Sequence, residues 1–303
     1  MKISVIFVGE LHDNGFNQRA LEGLERVQRD TTDAYFDVVS GVSYDPDAMK
    51  KAVRGAAERS KGIVFIGGQG NLVTPPAATE FPDRAFAVVQ GNVAGANLAS
   101  YDVLQEHSAF LAGVLAARMT LTGTVGHLSG HRVMPGLKGR AAFAAGVRYA
   151  DKTVRLVTGF CGTQDDSVVT EAWARAIADD GADILFTMLN AARDGAIKAC
   201  RATGMRQIGN AADWCTIDPD VFIASAVARI DLGVARAIED MRAGVRPGKI
   251  LELGLREKAV SLSMAEYVPD AIRQEVADLA SQIADCDFSV ETDYDGPEFE
   301  AVA

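Results

Sequence analysis

The stretch that decides the fold comes first in the chain: ISVIFVG at Ile3–Gly9, followed by GFNQRALEGLERVQRD at Gly15–Asp30. The first part is a run of apolar, largely β-branched residues, which is typical of a strand buried on both faces. In the second part apolar side chains recur every three or four residues, and this spacing predicts a helix with one buried face. A buried strand that leads directly into a helix is the first half of a βαβ unit, so parallel strands are expected.

The same alternation of strand and helix repeats along almost the whole chain. Further strands are predicted at 36–42, 62–68, 85–90, 98–104, 124–128, 153–159, 183–189, 206–210, 222–228, 250–255 and 259–264. Helices are predicted at 46–60, 106–119, 137–150, 167–181, 193–203, 232–244 and from 269 onward. So many strands exceed the ordinary size of one doubly wound sheet. The predicted fold class is therefore α/β, with two doubly wound lobes.

A short Thr/Gly segment, Met119–Gly123, is the predicted boundary between the lobes. The strands after Gly248 are expected to return to the first lobe, so the chain would cross the boundary more than once. The predicted N-terminal lobe is 1–120 plus about 248–264, and the predicted C-terminal lobe is 121–247 plus about 265–303, with a ligand cleft between them.

The overall charge argues against a nucleic acid as the main partner. Lys and Arg number 30 and Asp and Glu number 41, which gives a net charge of −11, whereas binding to a phosphate backbone requires a basic surface. Seven of the acids lie at 285–300, which holds no Lys or Arg and is predicted to be a solvated tail. Hydrophobic residues make up 48% of the chain, which is ordinary for a soluble globular protein.

The N-terminal region carries neither a recognisable secretory signal nor a membrane span. The longest apolar runs, such as Ile3–Gly9 and Gly62–Gly68, fall far short of the roughly 20 residues that cross a bilayer, so no direct membrane insertion is predicted. Glu10, His12 and Asp13 follow the first run without a small-residue cleavage site. We expect either a cytosolic protein or a chain that begins after a removed leader.

The sequence lacks the common signatures of enzymes and cofactor sites. No GxGxxG follows the first strand, and GxxxxGK[ST], GxSxG and HExxH are absent. The run Gly67–Asn71 is interpreted as a tight turn, and Asp165 and Asp166 as the cap of a helix. Four widely spaced cysteines form no CxxC pair, which leaves a disulfide open but does not predict zinc. No cofactor, no metal and no catalytic residue is therefore predicted.

Amide and aromatic side chains at predicted strand ends are the most unusual feature of the sequence. Ligands of doubly wound folds bind at the carboxyl ends of the strands. Aromatic rings stack on flat ligands, while side-chain amides donate and accept hydrogen bonds, so this set is suited to an uncharged polar ring. The candidate ligand-binding residues are Phe16, Asn17, Gln69, Asn92, Gln164, Asn190, Asp213 and Trp214.

Several motifs resemble those of the basic membrane protein family, the bacterial substrate-binding components of ABC transporters that include purine nucleoside receptors. Gly15-Phe-Asn-Gln18 is similar to the D-x-x-F-N-Q motif that opens the first helix in that family. Further similar segments follow in order over about 3–285: Phe81-Pro-Asp83, Phe86-Ala-Val-Val, Asn97-Leu-Ala-Ser, Glu106 with Phe110-Leu-Ala-Gly-Val-Leu-Ala-Ala117, Thr122–Gly126, Phe143–Gly146, Gly181–Asp183, Ile208-Gly209 with Asp213, and Gly254-Leu255.

The resemblance implies a type I periplasmic binding protein fold, in which two α/β lobes joined by a three-stranded hinge close around a ligand without chemistry. It further implies a periplasmic or cell-surface location and an ABC transporter permease as partner. By the family pattern, Phe16 stacks on the base, Asn17 makes a polar contact, and Asp213 holds ribose hydroxyls.

Three replacements depart from the family pattern. Gln164 stands where a second stacking aromatic is usual, Ala211 replaces an acid, and Ala228 replaces a lysine. Because two charged sugar contacts are absent, a purine nucleobase or another small polar ring compound is expected as well as a nucleoside. Trp214 could offer another stacking surface or belong to the core.

Three functions compete at this stage. The first is a ligand-capture protein that feeds an ABC transporter, which the family resemblance and the amide-rich strand ends favour. The second is a cytosolic ligand sensor or regulator with the same fold. The third is a nucleoside-processing enzyme, which would need a positioned base or a nucleotide cradle that the sequence lacks.

Overall fold

The computed structural model describes residues 1–301. Its strands are β1 Lys2–Val8, β2 Tyr35–Val42, β3 Gly62–Ile66, β4 Ala85–Val89, β5 Leu98–Val103, β6 Thr124–Ser129, β7 Arg155–Phe160, β8 Ile184–Met188, β9 Arg206–Ala211, β10 Phe222–Ala228, β11 Ile250–Leu253 and β12 Val260–Met264. Its helices are α1 Phe16–Arg29, α2 Pro46–Arg59, α3 Gly70–Glu80, α4 Gln105–Met119, α5 Met134–Ala150, α6 Ser167–Asp179, α7 Arg193–Thr203, α8 Trp214–Ile217, α9 Ile230–Arg242 and α10 Asp270–Ala284.

The chain folds into two α/β units, as the sequence predicted. The first unit comprises Met1–Val103 and Arg229–Leu253, and the second comprises Leu104–Ala228 and the chain from Gly254 onward. The chain therefore passes from one unit to the other three times.

The first unit is built on a parallel sheet in the order β11-β5-β4-β3-β1-β2. Helix α1 packs against α9, and α2 packs against α3. The chain runs from β1 outward to β2 and then back to β3 on the other side of β1. The crossover direction thus reverses between β1 and β3. In this fold class a ligand is expected outside the carboxyl ends of the strands at such a reversal.

The second unit repeats this plan in a sheet of order β12-β10-β9-β8-β6-β7. Five strands are parallel, and β12 runs antiparallel to β10 with Ser263 opposite Ser225. Here the reversal falls between β6 and β8. Each unit therefore has its own switch point, which is the usual place for a ligand in this fold class.

The predicted lobe boundaries differ from the observed division, and helix α4 is the clearest case. The sequence placed α4 in the N-terminal lobe, but it packs against α5, α10 and β10 of the second unit. A Cβ on Gly113 would lie 2.2 Å from the carbonyl oxygen of Phe143, and one on Gly146 would lie 2.1 Å from that of Phe110. These two glycines allow the backbones of α4 and α5 to touch, which fixes α4 to the second unit.

Helix α9 differs in the opposite sense, because the sequence placed it in the C-terminal lobe and the structure places it in the first unit. A Cβ on Gly23 of α1 would lie 2.6 Å from the Asp231 backbone, so these helices also pack in close contact. Asp231 accepts ion-paired hydrogen bonds from Arg26 at 2.7 Å and from Arg229 at 2.8 Å. The segment at about 248–264 was predicted to return to the N-terminal lobe. The structure divides it, with β11 in the first unit and β12 in the second.

Two helices were not predicted. Helix α3 begins directly after Gly67-Gly-Gln69, so this run opens a helix rather than closing a simple turn. The two internal prolines, Pro75 and Pro76, hid the helix because proline normally interrupts one. Helix α8 spans only Trp214–Ile217, which is too short for a periodic signal.

The seven acids of the C-terminal tail are exposed, as predicted for a solvated segment, but aromatic residues between them pack along the second unit. The Phe288 ring lies 5.0 Å from that of Phe110, and the Phe299 ring lies 6.1 Å from that of Trp173. Glu298 is ion-paired with Arg140 at 2.7 Å. The aromatic residues between the acids make these ring contacts, and the prediction, which was based on the charges alone, did not consider them.

Candidate ligand-binding site

Phe16 lies at the switch point of the first unit. It is the first residue of α1, directly after the loop that leaves β1, and its ring is half-buried. A Cβ on Gly67, at the end of β3, would lie 4.0 Å from Cε1 of Phe16. Gly67 has a φ of +108°, a conformation that favours glycine. The structure therefore places an aromatic ring beside the β3–α3 turn.

Asp13 holds the loop that presents Phe16. Its carboxylate accepts hydrogen bonds from the backbone amides of Gly15 at 2.8 Å, Asn17 at 3.0 Å and Gln18 at 3.0 Å. These bonds satisfy the amides that a helix leaves unpaired in its first turn. The acid three residues before the aromatic is the first position of the D-x-x-F-N-Q motif, so the signal was present in the sequence although its structural role was missed.

The Asn17 side chain holds the same loop and does not make the ligand contact that was predicted for it. Its side chain is 2% exposed, and its amide nitrogen donates to the carbonyl oxygens of Val8 and Glu10, both at 2.8 Å. Both amide hydrogens are therefore used within the protein. Asn17 fastens the end of β1 to the start of α1 and so positions its neighbour Phe16.

Gln69 and Asn92 follow neighbouring strands of the first unit. Gln69 precedes α3, and its Oε1 would lie 2.6 Å from a Cβ on Gly67, so Gln69 and Phe16 flank the same glycine. The backbone amide of Asn92, beyond the end of β4, donates to Oδ1 of Asn71 at 2.9 Å. The side-chain amides of Gln69 and Asn92 make no hydrogen bond within residues 1–301, which leaves them available to a ligand.

Three loops meet at the switch point of the second unit, and Gln164 connects them. Its Oε1 accepts a hydrogen bond from the backbone amide of Asn190 at 3.2 Å, and its carbonyl oxygen accepts one from Ala192 at 2.9 Å. A Cβ on Gly130 would lie 2.5 Å from Cδ of Gln164. The loops that follow β6, β7 and β8 are thus in direct contact, and the structure brings Gln164 and Asn190 together.

Polar groups around this contact remain unused within the described chain. The amide nitrogen of Gln164 and the side chain of Asn190 make no hydrogen bond within residues 1–301. Gly130, which sequence reasoning missed, provides the space for Gln164 because any side chain there would collide with it. The arrangement can donate to and accept from an uncharged polar ligand.

Asp213 lies one strand further along, after β9. Its Oδ1 accepts a hydrogen bond from the Ser263 hydroxyl at 2.9 Å, and its carbonyl oxygen accepts one from Thr216 at 2.8 Å. The residue is half-buried, and its second carboxylate oxygen has no partner within residues 1–301. A carboxylate held at one oxygen and open at the other is suited to a hydroxyl or N–H of a ligand.

Trp214 belongs to the core and does not offer a stacking face. It is 5% exposed, its Nε1 donates to the Asn210 carbonyl oxygen at 3.2 Å, and its ring lies 5.3 Å from that of Phe222. The Arg193 guanidinium lies 4.4 Å from the centre of the indole ring. With its ring packed within the second unit, Trp214 supports the loop that carries Asp213.

Burial holds His127 and Cys200, two buried titratable groups of the second unit, in their neutral forms. Burial lowers the pKa of His127 to about 3, so this histidine stays neutral between Ser129 and Thr158. Burial raises the pKa of the Cys200 thiol to about 12, and all four cysteines, each within the described residues, are free. Asp166 caps α6 as predicted, accepting from the amides of Val168 and Val169.

Neither a metal cluster nor a membrane helix is present in the part of the chain that the structure describes. Nowhere in residues 1–301 do three His, Cys, Asp or Glu side chains come together as a metal site requires. No helix within those residues is both long enough and apolar enough to cross a bilayer.

With this geometry in place, comparison with known proteins identifies the family. Residues 1–291 match the family described as ABC transporter substrate-binding protein PnrA-like. The chain belongs to this family. Basic membrane protein A of Borreliella burgdorferi is 27% identical over 296 residues, a match that covers 93% of this chain and 85% of that protein. The family resemblance read from the sequence is thereby confirmed.

Solved structures of similar fold support the two-unit architecture. An ABC transporter solute-binding protein from Aeropyrum pernix K1 has a TM-score of 0.84 at 21% identity, covering 97% of this chain and 94% of that one. A structure described as a transcriptional activator of the comK gene from Bacillus halodurans has a TM-score of 0.75 at 20% identity, covering 94% and 98%. At these identities the similarity establishes the fold.

Proposed function

We propose that this substrate-binding protein captures a purine nucleoside or nucleobase for an ABC transporter and releases it chemically unchanged. The observation that carries the proposal is the half-buried Phe16 ring beside Gly67, with the unused amide of Gln69 next to it. A ring face flanked by amides binds a flat, polar, uncharged molecule through stacking and hydrogen bonds. Membership of a PnrA-like substrate-binding family supports the same class of function.

The second unit supplies the polar half of the proposed recognition. Gln164 and Asn190 offer amide groups, and Asp213 offers one open carboxylate oxygen. We propose Gln164, Asn190 and Asp213 as the ligand contacts of the second unit, and Phe16 as the ligand contact of the first. Ala211 and Ala228 carry no charge, so the carboxylate of Asp213 is the candidate group for reading a ribose.

By family membership, the expected partner is a transporter permease and the expected location is the periplasm or the cell surface. A cytoplasmic regulator is the second candidate, since a similar fold occurs in the structure described as an activator of comK. Mass spectrometry of the native protein separates the two. A longer precursor that is processed at export would exclude the regulator.

Thermal unfolding in the presence of nucleosides and nucleobases tests the ligand class. A ligand at a hundredfold its dissociation constant stabilises the folded protein by about 2.7 kcal/mol, so a true ligand shifts the melting temperature by several degrees. We expect such a shift with at least one purine, and none with ribose 5-phosphate as a charged control. The absence of a shift across the whole purine and pyrimidine panel would contradict the proposal.

A further inference from the structure

We propose that the C-terminal strap, defined as Glu291–Ala301, positions the β6–α5 loop of the candidate site, with Glu298 as the positioning residue. The site's role in ligand binding rests on the proposed function. The placement of the loop by the strap rests on contacts alone. The sequence had suggested no role for this acidic segment beyond solvation.

The strap lies along β7, the edge strand of the second sheet. The backbone amide of Phe299 donates to the carbonyl oxygen of Thr158 in β7 at 2.7 Å. The Phe299 ring packs edge to face against the Trp173 ring, with the ring centres 6.1 Å apart and the ring planes at 79°. A Cβ on Gly159 would lie 2.7 Å from the Phe299 carbonyl oxygen, so the strap approaches β7 where a glycine leaves room.

Glu298 joins the strap to two arginines near the carboxyl end of β6. Its Oε1 accepts from Arg140 at 2.7 Å and from Arg132 at 3.1 Å, and its Oε2 accepts from the other terminal nitrogen of Arg132. The two guanidinium groups lie 4.8 and 5.1 Å from the centre of the Phe160 ring. Arg140 is buried, so its single hydrogen bond to Glu298 is partly sheltered from solvent, whereas the bidentate contact with Arg132 lies at the surface.

The pKa of Glu298 falls to about 2, chiefly because Arg132 donates a hydrogen bond to its carboxylate. The carboxylate is therefore charged at ordinary pH, so protonation does not break its contact with the arginines.

Direct contacts lead from Arg132 to the candidate site. Arg132 is the central residue of a tight turn in which the amide of Val133 donates to the His131 carbonyl oxygen at 2.9 Å. Gly130 adjoins this turn, and its carbonyl oxygen accepts from the amide of Gly162 at 3.1 Å. Gly130 also packs against the Gln164 side chain. Holding Arg132 therefore restrains the loop against which Gln164 is placed.

A second ion pair between the strap and α5 provides a matched control. Glu291 pairs with Arg148, which lies in the last turn of α5. Because α5 starts at the carboxyl end of β6 and runs back along the sheet, its last turn lies toward the amino ends of the strands. Glu291→Gln thus removes an ion pair between the strap and α5, but far from the candidate loops.

Hydrogen–deuterium exchange of the full chain tests the proposal without any ligand. We expect Glu298→Gln to accelerate amide exchange about tenfold in 130–133 and 161–166, while β6 itself keeps its protection. Arg132→Gln should reproduce this local effect, and Glu291→Gln should leave both loops as in the wild type. Unchanged loop exchange in Glu298→Gln, or an equal increase in Glu291→Gln, would overturn the proposal. Uniformly faster exchange throughout the second unit would also overturn it, because it would show a merely structural role.

Calorimetric titration with adenosine and with adenine adds a functional arm. If the wild type binds either compound, we expect Glu298→Gln to weaken that binding about tenfold, a change of about 1.4 kcal/mol, and Glu291→Gln to leave it unchanged. Equal affinities of the wild type and Glu298→Gln would contradict the positioning role. If the wild type binds neither compound, the proposed function loses support, and the exchange measurement still decides whether the strap holds the loop.

Discussion

At the scale of single residues, Asp213 is the group that should distinguish a nucleoside from a free base. Asp213→Asn keeps an acceptor for the Ser263 hydroxyl, so the loop should retain its conformation. Loss of the charge should weaken binding of a nucleoside by about 1.5–3 kcal/mol and leave a nucleobase nearly unaffected. Calorimetry with paired nucleoside and nucleobase ligands measures the difference, and Asp220→Asn, an exposed acid after α8, is the control. Equal losses for both ligands would show that Asp213 does not read the sugar.

Residue-level roles were the part of the site that sequence could predict least. Asn17 and Trp214 both stand at predicted strand ends, and both turned inward in the structure. An asparagine at the start of a helix looks the same in sequence whether its amide faces solvent or bonds to backbone carbonyls, as that of Asn17 does. The indole of Trp214 is buried because Gly209 leaves space beneath it, and that pairing is visible only in three dimensions.

At the scale of elements, close contact between α4 and α5 depends on two glycines. Gly113→Ala places a methyl group 2.2 Å from a backbone oxygen, which α5 can accommodate only by moving. We expect a loss of about 1–3 kcal/mol in the free energy of unfolding, measured by urea denaturation. Gly55→Ala in α2 is the matched control, because only the flexible tip of Arg59 lies near and alanine favours helix by up to about 1 kcal/mol. A Gly113→Ala protein as stable as Gly55→Ala would refute this account of the packing.

The order and type of most elements followed from the sequence because strand and helix differ in their hydrophobic period. The failures have physical causes. Helix α3 contains Pro75 and Pro76, and α8 is a single turn. The unit to which α4 and α9 belong depends on glycine contacts with Phe143 and Asp231, and such contacts leave no periodic trace. The order of the elements along the chain was thus predicted better than the elements against which each helix packs.

At the scale of the whole molecule, both units repeat one design, in which a reversal of strand order brings polar side chains to the carboxyl ends. In the first unit this places Phe16 beside Gly67, and in the second it places Gln164 beside Asn190. The rigid sheets hold these side chains on short loops, which is the arrangement that a preorganised binding site requires.

The central claim is that Phe16 stacks on a purine ring. Calorimetric titration of wild type, Phe16→Ala and Tyr35→Ala with adenosine and adenine tests it most directly, since Tyr35 is an exposed aromatic at the amino end of β2. The account predicts that the wild type and Tyr35→Ala bind at least one of these compounds equally well, and that Phe16→Ala loses about 1–3 kcal/mol. Binding that is unchanged in Phe16→Ala, or absent from the wild type, would contradict it.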